Sequence, residues 1–313
     1  MKFQAGMLQK LLPFLTLIGL LVFLSIASPN FLTETNLASV VRQTATINIM
    51  ALGMTLVIVS GGIDLSVGAI LAFAGVMGTM AMAGGQPVSV GILVGLLFGL
   101  LWGFINGVLI TTLKIPPFIV TLGTMGIARG LVLLITDGLP VTGLPAGFRP
   151  LAEGSIAGVP YVAFILIVCA LLTHVLLHSS KLGRYTYAIG SNTDAAIYAG
   201  IPVARYTVCV YAISGMLTGL GGMIEASRLM TGQPTAGMAY ELQVIAAVVI
   251  GGGSLTGGEG SVMGTLIGAF IMGLLSNGSD LLGISPFVQQ ALIGAIVILA
   301  VAIDEARKRR FSG

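Results

Sequence analysis

Long apolar runs separated by short polar or glycine-rich punctuation organise this chain. The first, residues 11–27, contains no charged residue and is about the length of helix that crosses a bilayer core. Comparable runs recur at approximately 47–60, 65–83, 88–110, 118–135, 161–177, 207–226, 240–252, 262–275 and 287–303, so the pattern predicts about ten helical spans. Several are short for a full crossing. The alternation at every second residue that a transmembrane barrel needs is not present. Pro87, Pro117, Pro160 and Pro286 stand at or just before predicted first turns, where a missing N–H costs nothing.

Composition turns these apolar helices into membrane helices. The 313 residues are 56% hydrophobic and 8% charged, and the mean hydropathy is +1.05, whereas a soluble domain carries about 25% charged residues. So few charges cannot cover a core of this size in water. In hydrocarbon every backbone donor and acceptor has to be satisfied internally, which with these runs leaves helices. The expected fold class is all-α: a polytopic integral membrane protein with about ten transmembrane helices, forming a single transmembrane domain over residues 1–313. Lys2 and Lys10 ahead of the first run, with Ser25-Ile26-Ala27 at its end, also fit a cleaved signal peptide. The run is long enough to remain as an anchor and is read as the first span.

Charge sets the orientation. Basic residues collect at Lys2 and Lys10, at Lys114, at Lys181, Arg184 and Arg205, and at 307–310. These segments are expected in the cytoplasm. Segments 29–36, with Glu34, and 137–158, with Asp137, Arg149 and Glu153, are expected outside, and ten crossings then place both termini inside. The net charge of +3 is scattered over loops without the aromatic-interleaved basic stripe that nucleic acid requires. Cys169 and Cys209 suggest neither a disulfide framework nor a metal site. His174 and His178 have metal-compatible spacing but no third ligand nearby, so an interfacial position is expected.

Glycine carries two further patterns. Gly91, Gly95, Gly99, Gly103 and Gly107 recur at four-residue spacing, and Gly260, Gly264 and Gly268 repeat the device, which predicts smooth faces for close helix packing. Segments 57–68 and 248–261 each join two apolar stretches through a glycine-rich break, with Asp64 or Ser261 placed to accept N–H groups at the start of the next helix. Such breaks are either tight cytoplasmic turns or the intramembrane interruptions by which transporters expose polar backbone. An ionised Asp64 near the bilayer centre would cost about 2.5–3.5 kcal/mol on insertion scales and would need a functional reason. The second break is no phosphate-binding loop, because Gly258 stands where lysine is required. Neither H-E-x-x-H nor G-x-S-x-G occurs, so no catalytic residue, metal or cofactor is assigned.

Residues 181–205 read as a helical connector between the sixth and seventh spans, in which Asp194, Ala195 and Ala196 start a short helix that Gly200 closes. Here the chain resembles the ribose-type permease subunits of bacterial ABC sugar importers, over about residues 29 to 304. The resemblance rests on Gly53-Met54-Thr55-Leu56-Val57-Ile58 with Gly62-Ile63-Asp64-Leu65-Ser66-Val67-Gly68, on Leu182-Gly183-Arg184-Tyr185 and on Gly200-Ile201. It continues in Gln233-Pro234-Thr235-Ala236-Gly237, Tyr240-Glu241-Leu242, Ile245-Ala246-Ala247-Val248-Val249 and Gly264-Thr265-Leu266-Ile267-Gly268-Ala269.

What the resemblance implies is a homodimeric permease in the bacterial inner membrane, driven by a cytoplasmic ABC ATPase and fed by a periplasmic sugar-binding protein. ATP chemistry then belongs to the partner, and the substrate is a monosaccharide, ribose first. In such importers an alanine-rich coupling helix followed by glycine docks on the ATPase. Asp194, Ala195, Ala196 and Gly200 match that pattern, although many importers carry Glu at the acidic position. Asn48, Asp64, Asn106 and Asn277, polar at membrane depth, are the candidates to line the translocation path; each could equally bond a neighbouring helix. The rival reading is an ion-coupled secondary transporter of a small polar solute, which would show broken helices and buried acids but need no coupling loop. An intramembrane hydrolase would need a nucleophile and base that are not recognisable.

Overall fold

The computed structural model describes residues 2–311, and the side chains of 11–299, 301 and 302 among them. The basic side chains at Lys2, Lys10 and 307–310 that entered the orientation argument lie outside the described set. The chain forms α1 (Lys2–Ala27), α2 (Glu34–Val59), α3 (Val67–Ala83), α4 (Val88–Leu113) and α5 (Pro117–Thr136). A short 3-10 turn, α6 (Pro150–Glu153) and an antiparallel pair, β1 (Ser155–Ile156) and β2 (Val159–Pro160), follow. Then come α7 (Tyr161–Ser179), α8 (Lys181–Ser191), α9 (Thr193–Tyr198), α10 (Val203–Leu229), α11 (Tyr240–Ile250), α12 (Val262–Leu281) and α13 (Pro286–Phe311).

Six helices, α2, α4, α5, α7, α10 and α12, are long and apolar enough to cross a membrane, and Leu11–Ala27, Val67–Ala83, Tyr240–Ile250 and Pro286–Leu299 form shorter apolar helices. Pro117 and Pro286 are first helical residues, and Pro87 and Pro160 are N-caps.

The expected 47–60 span begins much earlier, at Glu34, after the Thr33 hydroxyl accepts the Asn36 N–H at 3.3 Å. Arg42, Thr44, Thr46 and Asn48 dilute the hydropathy of its first half. They do not break the helix, and part of their polarity is met internally: Asn48 Nδ2 donates to the Thr44 carbonyl at 2.9 Å and Arg42 to the Glu153 carbonyl at 3.3 Å. From Thr44 to Val59 every residue of α2 is buried, which makes it the central helix. By contrast α7 exposes Phe164, Ile167, Leu171 and Val175, the face expected of a helix against lipid.

The glycine face of α4 packs on α10. A Cβ on Gly103 would meet the Tyr211 carbonyl, and Gly99 and Gly215 occlude each other reciprocally, so the two backbones lie in contact. In the second glycine series Gly264 and Gly268 do the same against the Gly251 and Ala247 carbonyls. Gly260 does not belong to that helix face: α12 starts at Val262 and Gly260, at φ +155, lies in the break before it.

Candidate functional site

Both glycine breaks end their helices in the same way. After α2 the Gly62 N–H reaches the Val57 carbonyl (3.0 Å) and the Gly61 N–H that of Ile58 (2.9 Å); after α11 Gly253 bonds Val248 (2.8 Å) and Gly252 bonds Val249 (2.9 Å). Gly61 (φ +82) and Gly252 (φ +90) supply the left-handed residue that this double closure requires. Ser261 then caps α12 through the Gly264 N–H at 3.1 Å.

The two breaks touch. The Gly258 N–H donates to the Val59 carbonyl at 2.9 Å, joining the end of α2 to the segment ahead of α12. Into this joint fits the C-terminal turn of α8, where a Cβ on Gly190 would collide with the Val59 carbonyl and come within 2.6 Å of the Gly258 nitrogen. One turn earlier the Tyr187 hydroxyl donates to the Gly260 carbonyl at 2.7 Å. Burial pushes the Tyr187 phenol up, so it stays the donor. Three segments remote in sequence therefore meet at one end of the bundle.

Immediately beyond, the Asn192 side chain caps α9 by accepting the Ala195 N–H at 2.9 Å. Gly200 closes it at φ +79, its N–H on Ile197 (2.9 Å) and that of Ile201 on Ala196 (3.0 Å). Asp194 and Ala195 are exposed. Ala196 is only 3% exposed: it faces its own chain, and so can act on a partner only by setting how α9 sits. The side chains α9 presents outward are Ile197 and Tyr198, the latter 91% exposed. Spacing alone did not single them out, although a bare tyrosine beside an isoleucine is the type of patch that partners cover.

The path candidates separate. Asp64 and Asn106 join one buried network: an Asp64 oxygen accepts the Ser66 N–H at 2.9 Å, Asn106 Nδ2 donates to Ser66 Oγ at 2.8 Å, and Thr124 Oγ1 donates to Asn106 Oδ1 at 2.7 Å. Thr121 Oγ1 accepts the Leu65 N–H at 3.1 Å, tying the same turn to α5. Ser66, not Asp64, is the N-cap residue of α3. Asn277 exchanges two amide bonds with Asn36, at 3.1 and 2.9 Å, and Asn48 bonds its own helix. Asn48, Asp64 and Asn106 are 0% exposed and Asn277 4%, so none of them faces an open surface in this conformation. Polar groups at membrane depth have here found one another. Among the described residues, the buried side-chain atoms without a hydrogen-bond partner are Arg42 Nε, Asn48 Oδ1, the second Asp64 oxygen and Ser214 Oγ.

Sequence reasoning passed over two charged clusters. Glu225, near the end of α10, pairs with Arg228 at 2.5 Å and accepts from Tyr240 at 3.4 Å, beside a small recess that Gln233 and Gly75 also line. Arg129 in α5 donates to the Pro234 (2.6 Å) and Ala236 (2.9 Å) carbonyls. The available signal was a charge standing inside an apolar run, which at membrane depth is itself a pointer to function. His174 and His178 stack at 5.0 Å on the exposed half of α7.

Among known proteins, the family described as "Branched-chain amino acid transport system / permease component" matches residues 36–301. The chain is 48% identical over 305 residues to the ribose import permease protein RbsC of Bacillus subtilis (strain 168), covering 96% of this chain and 94% of that one. It is 40% identical to the RbsC of Escherichia coli (strain K12), covering 94% of each chain. The D-allose transport system permease protein AlsC of the same strain is 36% identical, covering 93% of this chain and 90% of its own. No solved structure matches. A bundle of apolar helices with glycine-broken joints, aligned nearly end to end with these proteins, is a multi-pass membrane permease and not an enzyme, and the chain belongs to the ribose-type permease family of ABC importers.

Proposed function

We propose that this chain is the membrane-spanning subunit of an ATP-driven importer that carries a monosaccharide, D-ribose first, across the bacterial inner membrane. The observation that carries the reading is the 48% identity to a ribose import permease over nearly the whole of both chains. Two copies form the pathway, a separate cytoplasmic ATPase hydrolyses ATP, and a periplasmic sugar-binding protein delivers the sugar. In this reading the six long and four shorter apolar helices are taken as ten spans, and both termini lie in the cytoplasm. Lys181 and Arg184 of α8 and Arg205 at the start of α10 then lie in or beside a cytoplasmic α8–α9.

In this reading α9 is the coupling helix. Asp194 and Ala195 lie on its free surface with Ile197 and Tyr198, while Ala196 and Gly200 fix its seat and its end. Motion imposed on α9 passes through Gly190 and Tyr187 into both glycine joints. The Asp64–Ser66–Asn106 network holds the turn from α2 to α3 while that joint is displaced, so Asp64 and Asn106 serve transport by positioning helices. Co-expression with the ABC ATPase and the sugar-binding protein tests the assembly. The tagged permease brings down the ATPase in detergent, and sugar-loaded binding protein raises ATP hydrolysis in lipid; a permease that purifies without any ATPase contradicts the proposal.

A further inference from the structure

Helix α11 has 11 residues, a rise of about 16 Å, roughly half a bilayer core. The chain before it covers the remaining depth without helix. Gly232 pairs with Val141 beyond the end of α5 and lies beside Thr79, whereas Gly237 lies against Gly68, about three turns, roughly 16 Å, away along α3. Segment 230–239 thus re-enters the bundle from one end to about mid-depth as irregular backbone.

Two charged groups hold it. On one side Glu225 of α10 pairs with Arg228 of the same helix and accepts from Tyr240, which ties the segment's C-terminal end to α10. On the other, Arg129, near the middle of α5, donates to the Pro234 and Ala236 carbonyls and to Gly68 at 3.3 Å. Glu241 stands beside Gly68 within the field of that guanidinium. This side is open: Thr235 is exposed, Met238 is 67% exposed, Arg129 and Glu241 are partly exposed, and nothing lies within 4 Å of a Cβ built on Gly126 or Gly130 of α5.

Irregular backbone and charges at membrane depth are tolerated where they are buried in protein or line a water-filled cavity, and not against lipid. We propose that the face formed by Arg129, Thr235, Met238 and Glu241 is a wall of the solute path and a passage site for monosaccharide hydroxyls. Arg129 offers N–H donors beyond those the carbonyls use, Glu241 and Thr235 accept from sugar hydroxyls, and Met238 provides adaptable apolar surface for the C–H side of the ring. The proposal rests on the transport reading above and moves the path away from Asn48 and Asn277, which are sealed within the chain.

The test uses the assembled importer in proteoliposomes, on a Cys169→Ser/Cys209→Ser background that retains uptake. Thr235→Cys and the α7 control Leu171→Cys, at a site 60% exposed on the face expected against lipid, are treated with a charged, membrane-impermeant methanethiosulfonate and separately with a lipid-soluble maleimide. A cysteine in a water-filled path forms thiolate and one in lipid does not. The expected result is modification of Thr235→Cys by the charged reagent at least tenfold faster than Leu171→Cys, with uptake lost as labelling proceeds. Reaction with the lipid-soluble reagent alone would put the face in lipid, and reaction with neither would put it in a protein contact; either overturns the proposal. The labelling rate requires no transported sugar, so an error in the sugar or the energy source shows as failed uptake of the unlabelled protein with labelling intact.

Discussion

The Tyr187 hydroxyl of α8 donates to the Gly260 carbonyl at 2.7 Å, which ties the helix preceding α9 to the break that opens α12. Tyr187→Phe removes this one bond and leaves the ring's packing. A stability loss of about 1 kcal/mol is expected. If α8 transmits motion, uptake falls severalfold while the ATPase still copurifies and still hydrolyses ATP, a split between hydrolysis and uptake that a purely structural bond would not produce.

Gly190→Ala places a methyl group against the Val59 carbonyl, with backbone on both sides of it. Overpacking at such a joint costs about 1–3 kcal/mol. The expected outcome is a lowered Tm of the detergent-solubilised permease, with uptake lost in the fraction that remains folded. Gly126→Ala in α5, where the added Cβ meets nothing within 4 Å, is the control and leaves Tm unchanged.

Ala196→Arg and Gly200→Val act on α9 by different routes. Arginine cannot occupy the buried Ala196 position without tilting the helix, and valine at φ +79 is strained by roughly 1–2 kcal/mol. Both variants are expected to insert normally, since α9 is not itself one of the apolar helices, and to lose ATPase copurification. Tyr198→Ala should weaken copurification without disturbing the fold, because Tyr198 is bare in the isolated chain. Normal copurification and stimulated hydrolysis in all three would remove α9 from coupling.

Asp64→Asn keeps an oxygen that can accept the Ser66 N–H, whereas Asp64→Leu leaves Ser66 and Asn106 without that anchor. Orphaning buried polar groups costs about 1–3 kcal/mol. Yield and Tm are therefore expected to hold for Asn and fall for Leu. Uptake by the Asn variant reports separately whether the carboxylate charge is needed.

What could be read from the sequence follows from how each feature is encoded. A helix against lipid has to be apolar over most of its length, so α4, α5, α7 and α12 announced themselves, and the glycine face of α4 is visible because packing there demands absence of side chain at a fixed period. The first half of α2 was hidden, since Thr44, Thr46 and Asn48 lower its hydropathy while being buried inside the protein. Local grammar also located the short helix near Asp194 that Gly200 closes. It could not show that Ala196 turns inward, nor that Val59, Gly190 and Gly258 meet, because those contacts join segments far apart in sequence. Asn48, Asp64, Asn106 and Asn277 were legible as polar residues at depth. Whether such a residue faces water or another side chain depends on the tertiary arrangement, and here all four face protein, while Arg129 and Glu241 are partly exposed.

The most direct test of the account is uptake of radiolabelled D-ribose into proteoliposomes containing the permease and its ATPase, with the binding protein added outside and ATP enclosed. The account predicts accumulation that requires both ATP and the binding protein and persists when proton and sodium gradients are collapsed. Accumulation by the permease alone, driven by an imposed ion gradient without ATP, would contradict it.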